Sequence, residues 1–387
     1  MTSASPAAIG STVVDLPALT GLRFVAATSV FVHHLVGVLW LEEGAVGTAN
    51  LGMTVSLFFV LSGFVLAHAY GHRTPYRQPI RFATQRFFRI WPAHAAVFVF
   101  SLFLFWPEGT RWFRANFTTL ELFQILALGQ AWSAEARMFW GVNAVAWSIS
   151  VEWFFYLLFP LLIWLGRRSA WPIAAAGFAA TAMWLVISEQ VVTLDMPFEA
   201  FGLGAISPVA RLAEFALGIL THRLAYNPSP SRSPSRSSTL ELSALILTCA
   251  VILWSIPAAN HLLEPGTIVH AWFRAAVGAP IFALLIAVLA AGQGPLSRVL
   301  STPIFQWLGR ISFAEYLVHQ RLIVYWQRKV VPLDWPVWFE VISLFAIVIG
   351  MSALIHRYIE LPGVRFGRWI TGRRQSNSTA REPAQQR

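Results

Sequence analysis

Charged residues are scarce in this sequence. Asp, Glu, Lys and Arg together make up only 12% of the 387 residues, whereas soluble globular domains contain roughly 25%. This shortage excludes an ordinary soluble protein. Hydrophobic residues make up 56% of the chain, and they recur in runs of about 17 to 25 residues, the length that crosses a bilayer as a helix.

Cysteine is almost absent, since Cys249 is the single one. An intramolecular disulfide and a cysteine-based metal cluster are therefore excluded. Residues 1–17 contain neither Lys nor Arg and no apolar core. We therefore expect no cleavable signal peptide and a first apolar segment that stays in the membrane.

Ten apolar segments predict ten membrane-spanning helices, which makes the fold class an all-α polytopic membrane protein. A further apolar segment, 118–132, is predicted to form an interfacial or re-entrant helix in an outer loop. The predicted spans are residues 18–40, 51–69, 90–106, 144–165, 170–187, 206–224, 240–257, 268–291, 304–327 and 337–358.

The basic residues fit these ten spans when both termini are cytoplasmic, because Lys and Arg collect in cytoplasmic loops. A full span at 118–132 would turn Arg167 and Arg168 outward. We therefore predict a multi-pass protein of the cell membrane. We attribute its formal charge of +10 to the cytoplasmic Lys and Arg residues, which face the anionic surface of the lipid bilayer. We expect no nucleic-acid partner.

We predict one integral membrane domain, 18–364, with three cytoplasmic regions. Residues 1–17 form an N-terminal segment, 226–239 form a flexible loop rich in Ser and Pro, and 365–387 form a basic, disordered tail. The loop and the tail lack the apolar residues whose burial would offset the entropy of ordering them.

Several predicted spans contain ionisable side chains, each of which costs about 2.5 to 3.5 kcal/mol near the bilayer centre and is a functional candidate. Arg23 and His34 lie on nearly one face of the first span, separated by about 16.5 Å of rise. His33 is rotated by about 100° from His34, and spacing alone does not decide which histidine points inward. Either histidine could serve only in helix packing.

Arg86 and Arg89 are three residues apart at the entry to the third span, so they share one helix face. Guanidinium groups bind phosphates bidentately, which predicts a site for the phosphates of a cytosolic acyl carrier such as coenzyme A. The alternative is an anchor in which the positive charges only fix the orientation of the span.

Ser148, Glu152 and Tyr156 recur at every fourth residue and therefore stack on one helix face. A carboxylate among aromatic residues in a membrane needs a partner. Glu152 is expected to neutralise Arg23, to orient or charge a catalytic histidine, or to do both.

Two further polar groups occur within spans. Arg211 and Glu214 are most simply a local ion pair. Ser312, Tyr316 and His319 form a stripe that lines an acceptor pocket or makes hydrogen bonds between helices.

His68 and His72 have the spacing of a helical metal-ligand pair. Gly71 and the end of the second span fall between them, and no His-Glu-x-x-His frame is present. We therefore predict no metal site.

Seven motifs occur in a characteristic order along the chain. They are Leu19-Thr-Gly-Leu-Arg23 through His34, Leu57-Phe-Phe-Val-Leu-Ser-Gly-Phe64, Arg86-Phe-Phe-Arg89, Trp147-Ser-Ile-Ser-Val-Glu152-Trp-Phe-Phe-Tyr156, Arg211-x-x-Glu214-x-x-x-Gly218, Ser312-Phe-x-x-Tyr316-Leu-x-His319 and Tyr358-Ile-Glu360-x-Pro362. With these motifs the chain resembles the acyltransferase 3 family of integral membrane acyltransferases over nearly its full length.

The resemblance implies a helical membrane bundle that moves an acyl group from acyl-CoA to a hydroxyl, usually on a sugar. It favours His34 over His33. The chain ends soon after the last predicted span, so we expect it to lack the esterase-like domain that some members append. It is also similar to actinobacterial members that acylate macrolide antibiotics, of the midecamycin and carbomycin type.

Our hypothesis is a membrane-bound O-acyltransferase that uses acyl-CoA as a co-substrate, has no permanently bound cofactor, and acylates a sugar or a macrolide. The candidate residues are His34 as general base, with Glu152, Ser148 and Arg23 in catalysis, Arg86 and Arg89 in donor binding, and Tyr316, His319, Arg211 and Glu214 in acceptor binding.

A secondary transporter that uses the same buried residues as a substrate and proton path is the main alternative. The sequence shows no inverted repeat and no matching pair of broken helices, which weighs against a transporter. A purely structural membrane protein is the third interpretation.

Overall fold

The computed structural model describes residues 15–36, 49–71, 75–104, 108–191, 198–226, 234–292, 294–331 and 335–379. All regular secondary structure in these ranges is helical. The helices are α1 (Pro17–Val36), α2 (Thr54–Tyr70), α3 (Pro79–Leu104), α4 (Glu108–Asn116), α5 (Thr119–Leu126), α6 (Ala136–Trp140), α7 (Trp147–Leu165), α8 (Trp171–Val191), α9 (Leu212–Ala225), α10 (Pro234–Leu262), α11 (Ile268–Ala276), α12 (Ala279–Ala290), α13 (Pro295–Leu300), α14 (Pro303–Lys329), α15 (Val337–Ile355) and α16 (Leu361–Thr379).

Shorter helical turns connect some of these helices. They are the 3₁₀ turns Leu51–Met53, Pro75–Arg77 and Gln130–Trp132, the single turn Glu199–Phe201, and the π-helical turns Gly202–Ile206 and His356–Glu360.

Within the described ranges, eight helical segments are long and apolar enough to cross a membrane. They are Pro17–Val36, Leu51–Tyr70, Pro79–Leu104, Trp147–Leu165, Trp171–Gln190, Arg236–Leu262, Ile268–Ala290 and Val337–Gly372. The protein is therefore an all-helical membrane protein, as the composition predicts.

Two predicted spans are absent from this set, for different physical reasons. Helix α9 has 14 residues, which gives about 21 Å of rise and is shorter than a hydrocarbon core of about 30 Å. Helix α14 has 27 residues, but Arg310, Glu315 and Arg321 lower its hydropathy. Its polar face is buried by neighbouring helices, since Glu315 is fully buried.

Some predicted boundaries differ from the structure. Helix α3 begins at Pro79, so Arg86 and Arg89 lie inside a helix rather than at the entry to the span at residue 90. A proline suits the first position of a helix, because its missing N–H has no partner there anyway. The segment 118–132 contains α5, whose eight residues are too few to cross a bilayer.

The predicted cytoplasmic regions are described only in part. Residues 1–14, 227–233 and 380–387 lie outside the described ranges. Helix α10 starts at Pro234, inside the segment predicted to be a flexible loop. Helix α16 continues through residue 379, so the first part of the predicted tail is helical. Packing against α3 explains this, because Gly363 and Gly367 of α16 lie against Phe88 of that helix.

Helices α2 and α9 cross closely at two glycines. A methyl group added to Gly63 would overlap the carbonyl oxygen of Phe215, and one added to Gly218 would overlap the carbonyl oxygen of Val60. Small residues allow membrane helices to approach this closely, and van der Waals contact then stabilises their association. The two motif glycines therefore fix how α2 and α9 pack.

Helix α1 packs against α14 in a similar way. A methyl group on Gly309 of α14 would overlap the carbonyl oxygen of Thr20, and Thr28 Oγ1 donates a hydrogen bond of 3.0 Å to Glu315 Oε1. These contacts determine which residues of α1 face α14.

An ion-pair network stabilises the loop that contains α5. Thr118 caps this helix by accepting a hydrogen bond from the Glu121 amide, and the Glu121 carboxylate accepts hydrogen bonds from Arg137 Nη2 at 2.6 Å and the Thr118 amide at 2.8 Å. The hydrogen bond from Arg137, followed by those from Thr118, lowers the pKa of Glu121 to about 2. The network therefore persists at neutral pH and weakens only as the pH falls towards 2.

Gly218→Ala should lower the free energy of unfolding by about 1 to 3 kcal/mol, because the added methyl group forces α2 and α9 apart. Gly350→Ala is the matched control, since no heavy atom lies within 4 Å of a methyl group at that position. Thermal unfolding of both variants in detergent measures the difference. Equal midpoints for the two would contradict the proposed crossing.

Candidate active site

A cavity of about 200 Å³ lies between α1, α2, α3, α7 and α14. Its wall brings together six of the sequence-predicted site residues with other polar groups. The polar lining residues are Arg23, Ser62, Arg86, Arg89, Ser148, Glu152, Tyr156, Ser312 and Tyr316. Three arginines face one carboxylate in this cavity, so its charged wall has a net positive charge.

Arg86 is held by aromatic residues at one end of this cavity. Its Nη2 donates a hydrogen bond of 2.8 Å to Tyr70 Oη, and its guanidinium lies 4.9 Å from the centroid of the Tyr70 ring and 5.6 Å from that of Tyr156. Its Nε is buried without a hydrogen-bond partner among the described residues. A buried N–H without a partner is costly, and an anionic ligand in the cavity would satisfy it.

Arg89 forms an ion pair with Glu360. Glu360 is almost fully buried, and its second oxygen lies 2.8 Å from His356 Nδ1. His356 and Glu360 belong to the π-helical turn between α15 and α16. Such turns change the register of a helix and occur frequently at functional sites. Glu360 belongs to the motif Tyr358-Ile-Glu360-x-Pro362, and its carboxylate holds Arg89.

Glu152 makes its hydrogen bonds with neighbouring hydroxyl groups. It accepts a hydrogen bond from Tyr156 Oη, one turn further along α7, and one of 3.4 Å from Ser62 Oγ of α2. Among the described contacts it forms no ion pair with Arg23 and no hydrogen bond with His34, which are the two partners expected from sequence. The i, i+4 spacing within α7 favours the local partner Tyr156.

Ser148 and Tyr316 close the cavity at the end opposite Arg86. Ser148 Oγ donates a hydrogen bond of 2.8 Å to Tyr316 Oη, which connects α7 to α14. The Tyr316 ring packs at 5.6 Å, edge to face, against Phe58 of α2.

His34 lies beyond this closure and is not among the residues that line the cavity. Its Nδ1 is 3.2 Å from His319 Nε2, and the His319 ring lies 5.8 Å from that of Tyr316. His33, in contrast, is exposed and contacts Gly52. His34 is therefore the histidine of this pair that faces the interior of the bundle.

His319 is placed differently from its predicted role in acceptor binding. Its side chain is fully buried and does not line the cavity, unlike Ser312 and Tyr316 of the same stripe. Its contact in the structure is with His34, and its role in acceptor binding stays a prediction.

Arg211 and Glu214 also lie away from the cavity. Both are almost fully buried and form a bidentate ion pair with distances of 2.6 and 2.8 Å. Arg211 also donates hydrogen bonds to the carbonyl oxygens of Ala205 and Ala275. Every guanidinium nitrogen is therefore used within the protein, which supports the interpretation of these residues as a structural ion pair.

No group of three or more potential metal ligands occurs among the described residues. His68 lies beside His222, with Nδ1 and Nε2 3.3 Å apart. His72, the predicted partner at metal-ligand spacing, is outside the described ranges.

Comparison with known proteins agrees with this assembly of motif residues. A family model described as an acyltransferase domain matches residues 16–357. The chain belongs to this acyltransferase family. It is therefore an enzyme of the membrane, which favours the acyltransferase hypothesis over a transporter.

Individual relatives carry related names. The chain is 31% identical to Acyltransferase MdmB of Streptomyces mycarofaciens, over 96% of each protein. It is 25% identical to the putative peptidoglycan O-acetyltransferase YrhL of Bacillus subtilis (strain 168) and to the O-acetyltransferase OatA of Staphylococcus aureus (strain NCTC 8325 / PS 47), in each case over 90% of this chain. It spans 54% and 57% of those two relatives. No solved structure matches the chain.

Glu214→Ala should lower the free energy of unfolding by about 3 to 5 kcal/mol, because it leaves the buried Arg211 without a counter-charge. Replacing both residues, Arg211→Met with Glu214→Met, should restore most of the thermal stability. Glu121→Ala, which breaks an exposed ion pair with Arg137, is the control and should have a much smaller effect. A double variant as unstable as Glu214→Ala would contradict the explanation that the unpaired charge of Arg211 causes the loss of stability.

Proposed function

We propose that the protein transfers a short acyl group from acyl-CoA to a hydroxyl of a macrolide or sugar, with His34 as the general base. The observation that supports this proposal is the position of a three-arginine cavity beside the contact between His34 and His319. MdmB, an acyltransferase that aligns with nearly the whole chain, supports a macrolide-type acceptor.

The charge of the cavity suits the donor. Acyl-CoA carries phosphates, and Arg binds phosphate through pairs of charge-assisted hydrogen bonds. Arg86 has a buried Nε without a partner, so a phosphate oxygen there would complete its hydrogen bonding. A cavity of about 200 Å³ is smaller than the roughly 300 to 1,000 Å³ typical of whole-ligand pockets, so it would take one end of acyl-CoA.

The directions of the helices determine the order in which the arginines and His34 follow one another across the membrane. We propose ten spans and cytoplasmic termini, with α14 included and with α9 completed as a span by the preceding turn Gly202–Ile206. Arg23 then lies near the cytoplasmic end of α1, and His34, eleven residues later, lies about 16.5 Å closer to the outer surface. In α14, which runs the same way, Ser312 precedes Tyr316 and His319. The donor therefore enters from the cytoplasm and the acceptor from the outer side.

In the reaction, His34 removes the proton of the acceptor hydroxyl as its oxygen attacks the thioester carbon. The new C–O bond forms, the C–S bond breaks, and the His34 imidazolium returns its proton to the departing CoA thiolate. Tyr316 separates the cavity from the two histidines, so its ring turns aside to admit the thioester. This movement releases the Ser148 hydroxyl to stabilise the thioester oxygen, while Arg23 stays with the donor.

His34→Ala should reduce acyl transfer by about 10²- to 10⁴-fold, the usual contribution of a general base. Membranes that contain the variant are incubated with labelled acetyl- or propionyl-CoA and a panel of sugars and macrolides. His33→Ala is the control, because this neighbouring histidine is exposed, and it should retain activity. Full turnover by purified, folded His34→Ala protein would refute the general-base role.

Arg86→Ala should raise the KM for acyl-CoA by about 10- to 100-fold, because a hydrogen bond to a charged group contributes about 1.5 to 3 kcal/mol. Arg81→Ala is the matched control on the same helix, since its hydrogen bond among the described residues is to Gln78 and it does not line the cavity. An unchanged KM in Arg86→Ala would show that the phosphates bind elsewhere.

A further inference from the structure

His319 is the buried residue in contact with His34. We infer that His319 is a positioning residue that fixes the proton and the orientation of the His34 ring, and that it does not bind the acceptor. This inference rests on the proposed function, because it assigns a role relative to the general base.

The hydrogen bonds of His319 determine which of its nitrogens carries the proton. Its Nδ1 lies 3.1 Å from the backbone oxygen of Glu315. A carbonyl oxygen only accepts hydrogen bonds, so Nδ1 must be the protonated nitrogen. In a neutral imidazole the other nitrogen, Nε2, is then an acceptor.

The same reasoning applies to His34. Its Nδ1 lies 3.2 Å from His319 Nε2 and 3.0 Å from the Val30 backbone oxygen. Both of these atoms are acceptors, so Nδ1 of His34 carries the proton, and its single hydrogen is shared between them. Its Nε2 is therefore the basic nitrogen, and no described group forms a hydrogen bond with it.

The surroundings of His319 prevent it from turning away from His34. Its ring packs edge to face against Phe31 at 6.2 Å and Tyr316 at 5.8 Å. The hydrogen bond between Thr28 and Glu315 keeps α1 and α14 together two turns away from His34. His319 is thus a fixed acceptor against which the more exposed His34 ring is aligned.

The hydrogen bond from His34 to His319 is strongest in the transition state. When Nε2 of His34 takes the hydroxyl proton, the ring becomes an imidazolium and its Nδ1–H becomes a stronger donor to His319. The bond with His319 therefore stabilises the charged base more than the neutral base. Its loss should lower kcat and leave donor binding unchanged.

The test compares His319→Asn with His319→Gln. An Asn amide at position 319 reaches about as far as Nδ1 of the histidine that it replaces. It can therefore retain the bond to Glu315 but cannot reach His34. The longer Gln amide reaches about as far as Nε2 and can accept the hydrogen bond from His34. We expect kcat to fall by about 10- to 100-fold in the Asn variant. In the Gln variant, kcat should recover most of the wild-type value. The KM for acyl-CoA should stay unchanged in both variants.

His94→Gln is the matched control, because the Gln amide reaches about as far as the Nε2 of His94 and can retain its backbone bond, as His319→Asn does. His94 is also a buried histidine with one hydrogen bond to a backbone oxygen, that of Ile125, but it does not contact His34. This variant should keep the wild-type kcat. A thermal scan in detergent establishes that each variant is folded before kinetics are measured.

The outcomes separate this inference from the proposed function. If the wild-type protein transfers no acyl group to any acceptor in the panel, both fail. If the wild type is active and His34→Ala is not, equal kcat values for His319→Asn and His319→Gln overturn the positioning role alone. A raised KM for the acceptor with unchanged kcat would also overturn it, because His319 would then be a binding residue.

Discussion

Every charged side chain inside the bundle must be neutralised or hydrogen-bonded, because the lipid around it offers no water. This constraint separates two kinds of buried arginine. Arg211 uses all three of its guanidinium nitrogens on Glu214 and backbone carbonyls, so it is complete without a ligand. Arg86 keeps a buried Nε without a partner beside the cavity. The unsatisfied donor, and not the presence of buried charge, is the feature that indicates a ligand site.

The packing of α1 against α14 decides which residues can react together. Gly309 allows the two helices to touch near the cavity, and the bond from Thr28 to Glu315 holds them further along. Because the helices run in the same direction, residues further along α1 contact residues further along α14. His34 therefore meets His319, and neither histidine lines the cavity that contains the arginines.

Sequence spacing predicted which residues lie in the site better than it predicted which residues they contact. Periodicity and motif order placed Arg23, Arg86 and Ser148 on faces that do meet in one cavity. The alignment of α1 with α14 depends on where glycines allow close contact, and no spacing within a single helix encodes it. The ion pair between Arg89 and Glu360 depends on a π-helical turn, which a period of 3.6 residues does not predict. The apolar segment 304–327 predicted a span, but α14 is absent from the eight candidate segments because its charged residues, some of them buried by protein, lower its hydropathy.

The closure between the cavity and His34 has a chemical consequence for the proposed reaction. A thioester beside a general base is open to hydrolysis, so an acyltransferase must keep water from the base until the acceptor is bound. The Tyr316 ring, bonded to Ser148 and packed on Phe58, separates the arginine cavity from His34. In the proposed reaction, a donor bound at the arginines is therefore kept away from the proposed base. Because the same Tyr316 also packs against His319, admission of the thioester and alignment of the base depend on one side chain.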